Sequence, residues 1–169
     1  LDDMTLPENF DIRYSTNEDL PVLQKWFADP MEREPFPFET DSETEDVLKN
    51  WIGFARFKAG LTGILGEAPC AMGTLLLMPY RKVAHHGSFY LIVAPEHRRK
   101  GIGASMVRNL LHLAKTRFSL ESISVEIYEP NPILRLLEKN RFELFARQEN
   151  FVKINGRGRA RILMEHFFQ

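Results

Sequence analysis

Arg98, Arg99 and Lys100 run directly into Gly101-Ile102-Gly103-Ala104. A helix that starts at such a place offers unpaired backbone N–H groups and the positive end of its dipole, which together hold an anion. Glycines let that backbone approach a ligand without side chains in between, and the neighbouring cations suit a doubly charged diphosphate better than a neutral group. The alternative is a solvated basic turn at a helix start. A Walker loop needs Gly-x-x-x-x-Gly-Lys-Ser/Thr, which is absent, and a dinucleotide fingerprint needs a third glycine where Met106 stands, so neither motif accounts for the turn. Further reactive groups lie downstream, where alternation over residues 123–128 puts Ser124, Glu126 and Tyr128 on one face of a strand and Ile123, Val125 and Ile127 on the other. In a partly desolvated cleft the Glu126 carboxylate would have the raised pKa that a general base needs; at a strand end in water it is an ordinary surface group.

The other candidates carry less. His85 and His86 precede a strand, where histidine is either a base near neutral pH or part of a polar strand end. Cys70 falls at a strand edge without a histidine close in sequence, as a small core residue does. His97, His112 and His166 have no metal-ligand spacing, and no metal is expected. Arg157, Arg159 and Arg161 lie on a hairpin, either as a solvated turn and strand start or as a grip for an acidic partner.

The elements that position these residues follow from hydrophobic period. Residues 88–93 read as a strand that leads through the basic turn into a helix from Gly103, with Val107, Leu110, Leu111, Ala114 and Phe118 at helical spacing; residues 123–128 return as a strand. Strand, helix, strand implies a right-handed crossover and a parallel pair. Upstream, residues 10–14 alternate as a strand and Asn17 can cap a helix through Leu20, Leu23, Trp26 and Phe27. After breaks at Pro30, Pro35 and Pro37, Asp41 or Ser42 can cap a second helix with Val47, Leu48, Trp51, Ile52, Phe54 and Ala55, which Gly60 ends. Residues 61–65, 71–78 and 88–93 are joined by short connections, as in an antiparallel meander. Downstream, Asn131 caps and Pro132 opens a helix with Ile133, Leu134, Leu136 and Leu137, and residues 149–154 and 161–168 flank Asn155-Gly156 as a hairpin. The expected fold is α+β, a mixed and mostly antiparallel twisted sheet with helices on both faces, in one domain over residues 1–169.

Composition bounds the function. The 44% hydrophobic and 27% charged fractions are those of a soluble globular protein. A lone Cys70 cannot form an internal disulfide, which points to a reducing, cytoplasmic setting. No apolar run approaches the roughly 18 residues a membrane span needs, and Leu1-Asp2-Asp3 shows no basic leader or hydrophobic segment. The net charge of -1 argues against a nucleic-acid binder, and no aromatic stacking platform accompanies the basic turn. That charge is a cancellation: of the 22 basic and 23 acidic residues, 4 and 14 lie in residues 1–50, leaving 18 and 9 in residues 51–169.

The turn and its flanks resemble the GNAT superfamily of acyl-coenzyme A dependent N-acetyltransferases. The family signature Arg/Gln-x-x-Gly-x-Gly/Ala is matched by Arg98-Arg99-Lys100-Gly101-Ile102-Gly103, and the likeness extends to Leu91-Ile92-Val93-Ala94-Pro95-Glu96-His97, Val125-Glu126-Ile127-Tyr128-Glu129-Pro130-Asn131 and Leu136-Leu137-Glu138-Lys139-Asn140-Arg141-Phe142. The resemblance implies acetyl-coenzyme A (acetyl-CoA) as co-substrate. Its diphosphate would bind Arg98, Arg99, Lys100, Gly101, Ile102, Gly103 and Ala104, its pantetheine arm would lie along Leu91, Ile92 and Val93, and Asn131 would stand near that arm.

The resemblance also implies roles for the strand residues. Glu126 stands five residues before Asn131, as does the base in the ribosomal-protein-alanine branch of the family. Many relatives carry a tyrosine in the last helix that protonates the leaving thiolate; here Leu137 takes its position and Arg141 that of a glycine, so Tyr128, Tyr90 or water would have to serve. The family frames its acceptor between the first two helices. In this chain that connection, residues 30–41, is acidic with interleaved aromatics, as a cationic amine would require or as a solvated loop anchored by its phenylalanines would have. A small amine, an amino acid and a protein N-terminus all remain open as acceptors, and a coenzyme A-binding module without efficient catalysis is the alternative to an enzyme.

Overall fold

Period-two runs become strands β1 (Phe10–Tyr14), β2 (Gly60–Leu65), β3 (Ala68–Leu77), β4 (His86–Val93), β5 (Ser122–Tyr128), β6 (Glu143–Ile154) and β7 (Arg157–Phe167). Helices α1 (Leu20–Phe27), α2 (Asp41–Gly53), α3 (Ile102–Thr116) and α4 (Ile133–Lys139) join them. The computed structural model describes residues 6–169, so the Leu1-Asp2-Asp3 start lies outside them. The strands form one seven-stranded sheet in the order β1-β2-β3-β4-β5-β7-β6. Every neighbouring pair is antiparallel except β4 with β5. Helices cover both faces: α3 and α4 pack on one through Ile102, Met106, Leu110 and Leu137, while α1 and α2 pack on the other through Leu23, Phe27, Leu48 and Trp51. This is the expected α+β arrangement. Among the described residues no helix is long and apolar enough to cross a membrane.

Several local expectations shift. The entry to α1 is fixed at Thr16 rather than Asn17, because the Asp19 carboxylate reaches back to the Thr16 N–H at 2.9 Å. Likewise Thr40, not Asp41 or Ser42, caps α2, its hydroxyl accepting from Glu43 N–H at 3.1 Å while Glu43 accepts from Thr40 N–H at 2.9 Å. Gly60 opens β2 instead of ending α2: Lys58 makes the left-handed reversal at φ 57°, and a Cβ at Gly60 would stand only 3.2 Å from the Ser15 side chain. The final hairpin turns at Asn155 and Gly156, both at positive φ, but its strands are longer than the alternation indicated.

An ion pair between half-exposed Arg13 and buried Asp19 locks β1 to the start of α1. Asp19 accepts from both terminal nitrogens of Arg13 at 2.8 Å, from Thr62 Oγ1 at 2.9 Å and from Thr16 N–H. Burial alone would raise its pKa, but these donors and the Arg13 charge outweigh it and hold the carboxyl below its ordinary value. Stabilisation from a depressed pKa is present above the unfolded value, about 3.9, and is lost as pH falls through the folded one. Asp19→Asn is therefore expected to cost about 2 kcal/mol near neutral pH in urea unfolding. The gap between variant and wild type should close in acid below both pKa values.

Candidate active site

The turn between β4 and α3 is built for a free row of amides. Arg99 and Gly101 both take left-handed backbone, at φ 62° and 78°. Gly101 precedes the first turn of α3 and brings no capping side chain, so Ile102, Gly103 and Ala104 have no acceptor within the helix for their N–H groups. Those donors sit at the positive end of a 15-residue dipole. Arg99 and Lys100 are exposed beside them. Arg98 behaves differently: its Nε donates to the Val93 carbonyl at 3.0 Å and its terminal nitrogens pair with Glu32. It ties the turn to the acidic loop rather than adding free charge.

Directly beneath this turn the sheet opens. β4 and β5 pair only at His86 with Ser122 and Gly87 with Ile123, after which β4 has no strand partner on that side. Leu91, Ile92 and Val93 thus lie on an edge that no strand pairs, its Val93 carbonyl taken by Arg98, while Val93 and Leu136 of α4 lie 3.8 and 3.9 Å from where a Gly103 Cβ would be. A cavity of about 260 Å³ occupies the opening, lined by Phe36, Tyr90, Leu91, Glu126, Tyr128 and Asn131 among others. The row of amides fits a diphosphate and the free edge fits an extended arm that carries amides. Asn131 does cap α4, its Oδ1 accepting from Ile133 N–H at 3.0 Å, and it also lines the cavity.

On β5, Ile123, Val125 and Ile127 enter the core while Glu126 turns to the opposite face with a side chain 36% exposed. Tyr128 shares that face but is buried. Burial, a hydrogen bond to Glu126 and the Glu126 charge push the Tyr128 pKa well above the usual tyrosine range. Tyr90 is raised as well, by burial and then by Glu126. Both hydroxyls therefore keep their protons at neutral pH, which makes neither of them a ready acid.

The loop between α1 and α2 closes one side of the cavity and is held rigidly. Buried Arg33 donates to the carbonyls of Phe27 and Glu39, each at 2.8 Å, so the two ends of the loop are tied together. Phe36 and Phe38 pack on Phe27, and Phe36 meets Tyr90 edge-on at 5.6 Å. Its central carboxylates are engaged: Glu32 with Arg98, and Glu34 with Arg159 at 2.7 Å. Arg161 reaches Glu126 at 3.4 Å. Sequence reasoning gave Arg159 and Arg161 no place in the site, although strand alternation puts Arg161 on the face of its β5 partner Tyr128. His85 and His86 lie at the paired end of β4 beside Glu121 and Ser122, away from the cavity.

The profile of the acetyltransferase (GNAT) family matches residues 21–140, more than half of the chain. The chain belongs to the GNAT acetyltransferase family. No curated protein sequence matches it. Similar solved GNAT structures include a GCN5-related N-acetyltransferase from Kribbella flavida, 15% identical with a TM-score of 0.81 over 96% of this chain and 99% of that one. The ribosomal-protein-alanine N-acetyltransferase of Brucella melitensis is 20% identical with a TM-score of 0.77, covering 94% and 99%. Spermidine N-acetyltransferase of Vibrio cholerae, in complex with CoA and spermine, is 18% identical with a TM-score of 0.76, covering 95% and 96%. At these identities the likeness is one of fold.

Against the GNAT pattern, Leu137 is fully buried among core residues and presents nothing to the cavity chemistry. Cys70 is also fully buried, and burial pushes its thiol up to about 11. An aromatic disulfide reagent at pH 8 should therefore leave Cys70 unmodified in the folded protein and titrate one thiol after unfolding in urea. Among the described residues no group of His, Cys, Asp and Glu is arranged to hold a metal ion.

Proposed function

We propose that this chain is an N-acetyltransferase that moves an acetyl group from acetyl-CoA to a primary amine of a small molecule, peptide or protein by direct attack in a ternary complex, with residues 1–169 acting as one domain. The observation that carries the proposal is the opening between β4 and β5: the head of α3 packs on Val93 at one end of the unpaired β4 edge, and the cavity along that edge reaches the Glu126 carboxylate. The backbone from Arg99 through Lys100, Gly101, Ile102 and Gly103 to Ala104 would hold the diphosphate, with Arg98 keeping the turn tied to Val93. Leu91, Ile92 and Val93 would bond the pantetheine amides as an added strand does, and Asn131 would offer its amide nitrogen to the same arm.

When bound there, acetyl-CoA supplies a thioester carbonyl open to attack and a thiolate that leaves readily. The acceptor arrives as an ammonium ion, which the Glu126 carboxylate at the cavity wall suits. Glu126 takes its proton, directly or through water, and leaves the neutral nitrogen that forms the new bond to carbon. The Tyr128 side chain shares the Glu126 face of β5, and Arg161 stands 3.4 Å from the carboxylate. Because Leu137 has no proton to give, the second proton shed by the nitrogen as it becomes an amide balances the departing thiolate.

Calorimetry with coenzyme A followed by a thiol-release assay over a panel of amines tests this reading. Binding with release of free thiol in the presence of an amine is expected; no coenzyme A binding overturns it. The buried Leu137 favours a second reading, a coenzyme A-binding regulatory module, whose signature is binding without turnover on any amine.

A further inference from the structure

We infer that the acceptor cleft selects free α-amino acids with apolar side chains, Arg161 binding the acceptor carboxylate while Glu126 takes its amine. The inference rests on the acetyl-transfer reading above and adds the substrate class. Arg161 stands opposite Tyr128 in the β5/β7 register, so its side chain rises on the face that carries Glu126. Its Nη1 is 3.4 Å from Glu126 Oε2, well beyond the roughly 2.7–2.9 Å of a tight charged pair. Neither charge is saturated by the other.

The closer partners of the guanidinium are neutral. Gln148 Oε1 accepts from Arg161 Nε at 2.9 Å and also from Nη2, and the guanidinium carbon lies 3.7 Å from the centre of the Phe151 ring. An arginine pinned in orientation by an amide and a ring, with a side chain only 22% exposed, keeps its charge for another anion. A free α-amino acid carries an ammonium and a carboxylate on a single carbon, and Glu126 and Arg161 offer the opposite charges side by side. Arg161 stands beside the cavity that Glu126 lines, and that cavity is apolar toward the acidic loop, where Pro35, Phe36, Pro37 and Leu76 receive the side chain.

Other acceptors fit this arrangement less well. A polyamine would meet the Arg161 charge, and Glu32 and Glu34, which could have drawn a second ammonium, are bound to Arg98 and Arg159. A peptide N-terminus presents an amide carbonyl where Arg161 calls for a carboxylate.

The test is thiol release from acetyl-CoA with leucine, methionine and phenylalanine, each beside its own carboxamide and its decarboxylated amine. Wild type is expected to favour the acids over the amides by about 10- to 100-fold in kcat/KM, mainly through KM. Arg161→Gln should collapse that ratio toward unity and Arg161→Lys should retain part of it. Equal or better use of the amides by wild type overturns the inference while leaving acetyl transfer standing, and so does a loss in Arg161→Gln that falls equally on all three acceptor types. If coenzyme A binds but no amine in the panel, a peptide N-terminus and spermidine included, releases thiol, acetyl transfer itself falls and the inference with it. The wild-type ratios decide the matter even if an Arg161 variant does not fold.

Discussion

Glu126→Gln is expected to lower kcat/KM for amine acetylation by about 10²–10⁴-fold, with affinity for coenzyme A unchanged. The amide keeps the shape of the carboxylate and its oxygen still faces Arg161, so the site stays assembled while the group that takes the acceptor proton is gone. Calorimetry and thiol release on the same preparation separate the effects, because the coenzyme turn lies on another element and shares no bond with Glu126. Full activity in the variant across pH would remove Glu126 from the base role. Tyr128→Phe should cost less, about tenfold, since its loss frees the carboxylate without removing the proton acceptor. Burial and the Glu126 charge raise the Tyr128 pKa, so ionisation of this hydroxyl lies far above neutral. Wild-type activity should accordingly show no alkaline decline due to Tyr128 through moderately basic pH, and Tyr128→Phe should follow the same pH profile at a lower level.

The parts of this site that were legible in the sequence are those written in local pattern. The face of β5 that carries Glu126 follows from alternation over the six residues 123–128, and the start of α3 from glycines and helical spacing within a few positions. The sequence offers Asn17, and Asp41 or Ser42, as caps where the structure has Thr16 and Thr40, because several oxygen-bearing side chains stand together there and only the geometry of Asp19 and Glu43 decides among them. The role of Gly60 was misread because it depends on Ser15, 45 positions away, rather than on its own helix. The same applies to the contacts that complete the site: Arg98 meets Glu32 across 66 positions and Arg161 meets Glu126 across 35. They exist because β7 inserts between β5 and β6 and because Arg33 folds the acidic loop back over the sheet. Charge counts along the chain separated an acidic segment from a basic one, yet pairing in space spends the central carboxylates of the first on arginines of the second. An acidic loop read from sequence as a lure for cations is, in the fold, largely a brace for the cavity wall.

Gly101→Val is expected to weaken coenzyme A binding by about tenfold or more and to lower stability by about 1–2 kcal/mol. Gly101 sits at φ 78°, where a β-branched residue is strained whatever the space around it. The variant must either hold that strain or swing to negative φ, and the swing turns the amides at the head of α3 away from the line they share. Arg99, already left-handed at φ 62°, cannot absorb the change without redirecting its own N–H. Gly103→Ala is the matched contrast. Gly103 lies inside α3 with no positive φ, and an added Cβ would rest 3.8 and 3.9 Å from Val93 and Leu136, ordinary contacts. Alanine there gains about 0.8–1.0 kcal/mol of helix propensity over glycine, so stability should rise while coenzyme A affinity is kept. Calorimetry with coenzyme A and thermal unfolding of both variants read the two effects separately. If Gly101→Val binds coenzyme A as tightly as wild type, the amides of this turn are not what holds the diphosphate, and the donor site must be sought elsewhere on the free edge of β4.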